Sequence, residues 1–232
     1  MSNIAFNEVP NGTLTPFFYV EIDNSGAFEG SNTIPWKNLL IGQQLDSKSA
    51  PSEVVQIIDL AQAEGLFGAG SQLANMVEAS LASNKSQPLY ALPFSDAGSS
   101  QSASGSVQFV GTATKAGLIS LMVGGRRTQT FVDVGDAGAV ISVNVASDVE
   151  ALSSSCVSAT SATDTTTLSA KNAGEAGNEI DIRLNYYQGE ELPEGITAVI
   201  TKMTGGLLNP DFGTENLAGI IANQWFQTIA HP

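Results

Sequence analysis

The sequence predicts a mixed α/β fold: an incomplete parallel α/β sheet domain with an inserted β-rich domain, sandwich- or barrel-like, and an extended N-terminal arm. Residues 38–94 alternate short apolar runs with amphipathic helical spacing, which is typical of strands joined by crossover helices. A small-residue stretch at 97–105 then opens a region of mainly β pattern that lasts to about residue 204. Helix and strand patterns return after residues 209–211.

These changes predict three parts. They are an N-terminal arm at 1–33, an α/β core domain made from 34–96 and 207–232, and an inserted β-rich domain at 97–206.

The arm contains a β-prone stretch, residues 15–23, in which Phe17, Phe18 and Tyr19 precede Val20. A short apolar strand without a hairpin partner pairs either with its own sheet or with the exposed edge of a neighbouring molecule. Both pairings stay open, and Phe17, Phe18, Tyr19 and Val20 are the candidate residues for contact between subunits.

The α/β core begins with an apolar run at 38–42 that ends in glycine, as a buried strand does. Residues 51–53 are predicted to open a helix whose apolar residues are Val54, Ile57, Ile58 and Ala61. A second helix is expected from Ser71, and residues 88–94 form the returning strand. The face of that second helix is predicted to carry Leu73, Met76, Val77 and Leu81.

The β-rich region contains six predicted strands, at 106–111, 117–123, 128–134, 165–170, 179–186 and 196–202. Residues 136–152 fit neither spacing cleanly because many are β-branched, and we expect a helix there, with Asp136 as its cap.

A final amphipathic helix is predicted from Leu217, Ile220, Ile221 and Trp225, followed by a strand at 224–230. A core strand at the very end of the sequence indicates a fragment of a longer protein.

Composition excludes several classes of function. The 232 residues include 23 acidic and 9 basic side chains, giving a net charge of −14. Nucleic acid and anionic membranes are therefore unexpected partners, because both require clustered lysine and arginine. The single cysteine, Cys156, and single histidine, His231, argue against disulfides and thiolate-rich zinc sites. We expect no cofactor, and a chain made in a reducing cytoplasm, since no secretory signal opens the sequence.

No catalytic constellation emerges from the motifs. Residues 65–70 are glycine-rich, but a helix-helix joint explains them better than a phosphate loop. Asp96 follows an apolar strand beside Ser95 and Ser99, yet a serine hydrolase also needs a base and a nucleophile elbow, and no such elbow is present. The sequence therefore predicts no enzyme.

Charged side chains and the cysteine have structural interpretations. Six acidic residues between positions 175 and 194 could bind calcium, but their spacing does not match a calcium-binding loop. A solvent-exposed sheet edge is therefore the favoured interpretation. These residues, the acidic group, are Glu175, Glu179, Asp181, Glu190, Glu191 and Glu194. Arg126 and Arg127 are expected to form local salt bridges or a subunit contact, and Cys156 to serve packing.

Several segments, in order, resemble one family, the contractile tail sheath proteins of Mu-like bacteriophages. The most telling segment is residues 170–183. Its Gly-x-x-Gly-Asn-x-Ile core, from Gly174 to Ile180, is similar to a hallmark of sheath proteins. A further matching segment, residues 185–190, follows it. The other segments are 6–10, 16–25, 39–43, 68–76, 88–93, 111–114, 203–206 and 209–211. The resemblance spans nearly all of the sequence, but family members are about twice as long.

The resemblance implies an N-terminal half of a sheath subunit, without its C-terminal half. It implies a virion protein, assembled in the host bacterial cytoplasm into hexameric rings around a tail tube and above a baseplate. Contraction then drives the tube through the host envelope. The isolated half is expected to be mostly monomeric.

Two other functions remain as alternatives. One is a carbohydrate-binding or adhesin-like β-module on an α/β base, for which Tyr186, Tyr187 and Trp36 are the available aromatic residues. The other is a hydrolase with two carboxylates converging in a cleft.

Overall fold

The computed structural model describes residues 36–48, 53–211, 217–221 and 224–232. Within these ranges the fold is mixed α/β, with three sheets and four α-helices. The helices are α1 Leu60–Phe67, α2 Gln72–Ser83, α3 Gly138–Ala151 and α4 Leu217–Ile221. The strands are β1 Asn38–Gln43, β2 Val55–Ile57, β3 Leu89–Phe94, β4 Ser104–Gly111, β5 Gly117–Val123, β6 Arg126–Val132, β7 Val157–Ala162, β8 Thr165–Ala170, β9 Ile182–Leu184, β10 Ile196–Thr204 and β11 Thr228–Ala230.

The first sheet has the strand order β11-β1-β3-β2, in which β11, β1 and β3 are parallel and β2 is antiparallel to β3. Successive side chains of β1 point to opposite faces, and both faces are apolar. Leu40 is buried on the side of α1 and α2, whereas Leu39 and Ile41 are buried on the side of α4. The predicted strands at 38–42 and 88–94 are confirmed, as is their parallel pairing.

The predicted helix opening at residues 51–53 is wrong. Val55–Ile57 is a strand, and α1 begins only at Leu60, where the Asp59 side chain accepts a hydrogen bond of 2.7 Å from the Gln62 amide. The apolar spacing from Val54 to Ala61 resembled a helix, but Val55 and Ile57 are β-branched and fit the pleat beside β3. Residues 51 and 52 lie outside the described ranges.

The predicted helix from Ser71 is confirmed. α2 runs from Gln72 to Ser83, and the Ser71 hydroxyl accepts from the Ala74 amide at 3.1 Å, as an N-cap does. Of its predicted apolar face, Leu73 and Val77 are fully buried, and Met76 and Leu81 pack against the same cluster.

The β-rich region contains two antiparallel sheets, with orders β10-β4-β8-β7 and β6-β5-β9, and α3 packs against both. Ile141, Val145 and Val149 lie along one face of α3 and are buried in the largest apolar cluster. The helix expected at 136–152 is thus confirmed, but Asp136 does not cap it. Ala137 is the N-cap, and the Asp136 carboxylate instead accepts from the Asp133 amide at 2.9 Å.

Other predicted limits need correction. Residues 179–186 contain only the short strand β9, preceded by a 3₁₀ helix at Glu175–Glu179. Trp225 lies outside α4, and β11 is shorter than the strand expected at 224–230. β7 was not predicted, because its Ser, Ala and Thr residues give a weak apolar signal. The described strands form open sheets rather than a closed barrel.

No helix within the described ranges has the length and apolar character needed to cross a membrane.

Candidate functional site

A polar joint connects the parallel sheet to the segment at residues 170–183. β1 and β3 are parallel neighbours, so Gln43 at the end of β1 and Asp96 just after β3 lie at the same sheet edge. Gln43 Nε2 donates to Asp96 Oδ1 and to the Ala173 carbonyl, both at 2.7 Å. The Ala173 amide donates to Asp96 Oδ2, also at 2.7 Å. One carboxylate therefore links two strand ends to a loop more than seventy residues away.

Asn172 adds a second set of contacts to this joint. Its Nδ2 donates to the Gln44 carbonyl at 2.8 Å and to Asp96 Oδ1 at 3.2 Å. Its Oδ1 accepts from the Gln72 amide at 2.8 Å, at the first residue of α2. The side chain thus bonds backbone groups at the end of β1 and at the start of α2 in a half-buried place.

Asp96 has a structural environment rather than a catalytic one. Burial raises the pKa of its carboxyl, an effect that the Ala173 amide and the Asn172 side chain oppose. Both oxygens already accept hydrogen bonds from fixed donors. Ser95 Oγ accepts from Gln44 Nε2 at 3.3 Å, and His231 is exposed with Nδ1 3.0 Å from the Pro232 oxygen. No Ser-His-Asp arrangement exists among the described residues.

The segment at 170–183 also binds the chain that leaves β10. The amides of Glu175 and Ala176 donate to Asn209 Oδ1 at 2.8 and 3.4 Å. Asn178 and Gly206 exchange two hydrogen bonds, of 3.0 and 2.8 Å. The segment therefore holds together three separate parts of the chain: the parallel sheet, the start of α2 and residues 206–209.

Gly177 has a clear steric role in the same segment. A Cβ atom there would lie 2.9 Å from Ala103 Cβ and 3.1 Å from Ala170 Cβ. Gly177 and Ala103 are both buried, so only a residue without a side chain allows the 3₁₀ helix to pack this closely.

The two predicted arginines form ion pairs, as expected. Arg126 pairs with Glu78 of α2, so this pair joins β6 to the helix that covers the parallel sheet. Arg127 pairs with Glu190. A role for either arginine in a contact between subunits stays a prediction.

Cys156 packs against the apolar cluster of the β-rich region, as predicted. Burial raises the pKa of its thiol. The thiol also lines an apolar cleft of about 360 Å³ between α2 and the 170–183 segment, together with Met76, Ala79, Ala176 and Ile180.

Neither the glycine-rich residues nor the acidic group forms a ligand site. Residues 65–70 run from the last turn of α1 into the link to α2, with Gly68 as the C-cap of α1, so the helix-helix joint is confirmed. No cluster of three or more His, Cys, Asp or Glu residues in the described ranges is placed to hold a metal ion. Of the acidic group, Asp181, Glu190 and Glu194 pair instead with Arg183, Arg127 and Lys115.

The aromatic residues of the carbohydrate-binding alternative do not share one face. Tyr186 and Tyr187 are adjacent with their rings at 79°, and Arg183 and Arg127 lie over them at 5.2 and 5.3 Å. Trp36 instead donates from Nε1 to Thr228 Oγ1 of β11 at 3.3 Å. The aromatic rings that a sugar would stack on thus lie in two separate loops, after β9 and before β1, and arginine partly covers the two tyrosines.

Phe17, Phe18, Tyr19 and Val20 lie outside the described residues. Sequence reasoning missed the roles of Gln43, Asn172 and Glu78, since nothing in their local pattern indicates a partner so distant in the sequence. The family resemblance includes segments 39–43 and 170–183, but it does not predict that these two segments contact each other.

Comparison with known proteins agrees with the resemblance. No family model matches the chain. The chain is 42% identical over 231 residues, 99% of its length, to the Mu-like prophage FluMu tail sheath protein of Haemophilus influenzae. It spans about half the length of that relative, 47%.

Proposed function

Because the chain is related along 99% of its length to a Mu-like prophage tail sheath protein, we propose that it acts as the N-terminal half of a contractile tail sheath subunit. Its role is structural: copies polymerise around a tail tube, and contraction drives the tube through the host envelope. The sequence relationship carries this conclusion, and the joint around Asp96 supports it. A rigid connection between two parts of a subunit suits a protein that transmits force.

The domain arrangement supports the same role. Strand β11 returns to the first sheet beside β1 after the two antiparallel sheets have been completed. We propose that residues 97–206 are a domain inserted into an α/β core made from 34–96 and 207–232, with residues 1–33 as an arm. The partners we propose are other sheath subunits in hexameric rings, the tube and the baseplate. The location is the virion, after assembly in the host cytoplasm.

Residues 17–20 are proposed to add a strand to a neighbouring subunit. An extended apolar segment adds to a sheet edge through main-chain hydrogen bonds, and its alternate side chains fill pockets. The end strands of the three described sheets are the candidate edges for such pairing, and these are β11, β2, β10, β7, β6 and β9.

The test is deletion of residues 15–23 from the full-length sheath protein, with F17S/F18S as a milder variant. Electron microscopy and sedimentation measure polymer formation, and K85S at an exposed lysine is the control. We expect both arm variants to lose polymers while keeping the circular dichroism spectrum of the parent. Unchanged polymers in both variants would refute the role of the arm.

A further inference from the structure

Strand β10, at Ile196–Thr204, is the longest described strand, and within the described residues it pairs on one side only, with β4. The Phe109 amide of β4 faces β8, since it donates to the Asp164 carbonyl at 2.8 Å, so the backbone groups of its two neighbours in β4 face β10. Alternation along β10 then directs the backbone N–H and C=O groups of Ala198 and Ile200 to the other side, the open edge of the sheet.

A groove of about 570 Å³ lies along this open edge. One wall consists of residues 200–204 of β10, and the other consists of residues 178–182, which lead into β9. The Gly124 amide donates to the Asp181 carbonyl at 3.0 Å, so the backbone groups of the next residue, Ile182, point away from β5 and toward the groove. The β9–β10 groove thus has a strand edge on each side, and no described strand lies between them.

Ile200 marks the groove as a place where apolar surface is uncovered. Its cross-strand partner Val107 is fully buried, so Ile200 points to the core side of the sheet, yet it is 39% exposed. Ile182 and Met203 line the same groove and are buried. A strand placed between β9 and β10 would cover Ile200 and extend this apolar floor.

The other edges of the described sheets suit an added strand less well. At β7, the Glu150 carboxylate accepts from the Ala159 amide at 2.5 Å, and the Ser155 hydroxyl bonds the amide and the carbonyl of Val157. Side chains that cover an edge in this way prevent pairing with another chain. Strands β2, β9 and β11 have three residues each, and β6 begins with two arginines.

We propose that the β9–β10 groove receives residues 18–22 of the N-terminal arm of a second copy as an added strand. The inference rests on the proposed function, in which residues 17–20 add a strand to a neighbouring subunit, and it names the edge that receives them. The five residues of β10 in the groove extend about 17 Å, which matches a strand of about five residues. The arm and the groove are different surfaces, so each copy gives one contact and receives another, as a ring requires.

The alternation of the arm sequence fits the apolar floor. Phe18, Val20 and Ile22 occupy every second position, so an extended strand carries all three on one face. The roughly thirteen residues between this strand and Trp36 span up to about 45 Å when extended. The arm is therefore long enough to reach an adjacent subunit.

The charges of the groove favour an acidic strand beside β10. Lys202 is the one charged residue of β10, it lines the groove, and no described carboxylate forms an ion pair with it. Glu21 lies on the opposite face of the arm strand from its apolar residues, where it can pair with Lys202. Glu179 and Asp181 stand on the other wall, and Arg183 already pairs with Asp181.

Cross-linking between two copies of the intact chain tests the inference. In a C156S background, one copy carries Y19C. The second copy, made larger by a fusion tag, carries either T201C beside the groove or Q129C at an exposed position of β6. A short bis-maleimide links thiols that meet between copies, and gel mobility identifies the mixed product. We expect Y19C to link to T201C at least tenfold faster than to Q129C.

Two further variants test the edge itself. A198P removes the amide that faces the groove and leaves Thr197 and Val199 paired with β4. We expect it to lower the T201C rate to that of Q129C. K202E should lower the rate severalfold, because it places a like charge beside Glu21. Circular dichroism checks the fold of each variant, and K202E decides the outcome if A198P does not fold.

Equal rates for T201C and Q129C would overturn the inference, as would a T201C rate that neither A198P nor K202E changes. Cross-links within a single chain that carries both Y19C and T201C, with none between copies, would also overturn it. Polymers of the full-length protein separate this inference from the proposed function. Loss of polymers on deletion of residues 15–23, together with normal polymers of A198P, rejects the groove and retains the arm. Absence of any polymer of the unmodified protein rejects the proposed function.

Discussion

At the scale of single residues, Asn172 contacts three separate parts of the joint. It connects the end of β1, the start of α2 and Asp96 through three hydrogen bonds. Removing the side chain leaves the Gln72 amide and the Gln44 carbonyl without these partners in a half-buried place. The resulting loss of folding stability exceeds the loss that follows from removing one exposed hydrogen bond.

We predict that N172A lowers the free energy of unfolding by about 2–3 kcal/mol. Urea denaturation followed by circular dichroism measures the loss. N144A, on α3, is the matched control and should change stability by less than about 0.5 kcal/mol. A loss for N172A no larger than that of N144A would show that the joint does not hold the fold.

Asp96 predicts a pH dependence. Its pKa is raised in the folded state above the usual 3.8, so the folded state binds the proton more tightly than the unfolded state does. The resulting contribution to stability is complete below the unfolded pKa and is lost as the pH rises through the folded pKa. The difference in unfolding free energy between the parent and D96N should therefore be most favourable to the parent at acid pH and should shrink as the pH rises.

D164N serves as a control of opposite sign for that pH series. Hydrogen bonds from Gln108 and Thr165 lower the pKa of Asp164. The contribution of Asp164 is present above the unfolded pKa and is lost as the pH falls. Urea titrations between pH 3 and pH 7 compare the two variants. Parallel curves for D96N and D164N would contradict the assigned directions.

The ion pair between Arg126 and Glu78 predicts a measurable coupling between β6 and α2. About a third of each side chain is exposed, 34% and 29%, so solvent screens the pair only in part. A double-mutant cycle with R126A and E78A should give a coupling of roughly 1 kcal/mol. The same cycle on Lys115 and Glu194, which are 77% and 66% exposed, should give about zero. Equal couplings in the two cycles would mean that the Arg126–Glu78 pair connects β6 to α2 no more strongly than a highly exposed pair would.

At the scale of elements, the 3₁₀ helix at Glu175–Glu179 depends on close packing at Gly177. G177A places a Cβ at 2.9 Å from Ala103 Cβ, so the helix must move away and the hydrogen bonds of Asn178 and Asn172 weaken. We predict a loss of about 1–3 kcal/mol.

G65A is the matched control for G177A. Gly65 lies inside α1, and a Cβ there meets no atom within 4 Å. Alanine at this position should raise the free energy of unfolding by about 0.5–1 kcal/mol, because it favours the helix. Thermal and urea denaturation measure both variants. Similar effects of the two substitutions would mean that Gly177 has no special packing role.

Local pattern predicted most elements but not their contacts. β1, β3, β8 and α2 follow from apolar spacing and turn residues. The prediction of a helix from residues 51–53 was wrong because apolar residues at i, i+3 and i+4 also occur in strands rich in β-branched residues. Only the pairing of β2 with β3 decides between helix and strand here. Local pattern could not predict the joint, because Gln43, Asp96 and Asn172 are polar residues whose side-chain partners lie 53 or more positions away in the sequence.

At the scale of the whole molecule, the net charge of −14 is unevenly placed. All three arginines lie on the sheet β6-β5-β9, where each pairs with a carboxylate. With this net charge, two copies repel each other wherever their acidic side chains meet. In the same molecule, the hydrogen bonds of the joint connect the parallel sheet to the β-rich region.

The most direct test of the sheath role is a chimeric prophage. The 231-residue segment of the Haemophilus influenzae sheath protein that matches this chain is replaced by the chain itself, and induced particles are examined by electron microscopy. A sheath subunit should restore tails that carry a sheath and contract, with the unmodified prophage as reference. Tails consisting of bare tubes, with soluble chimeric protein in the lysate, would contradict the proposed function.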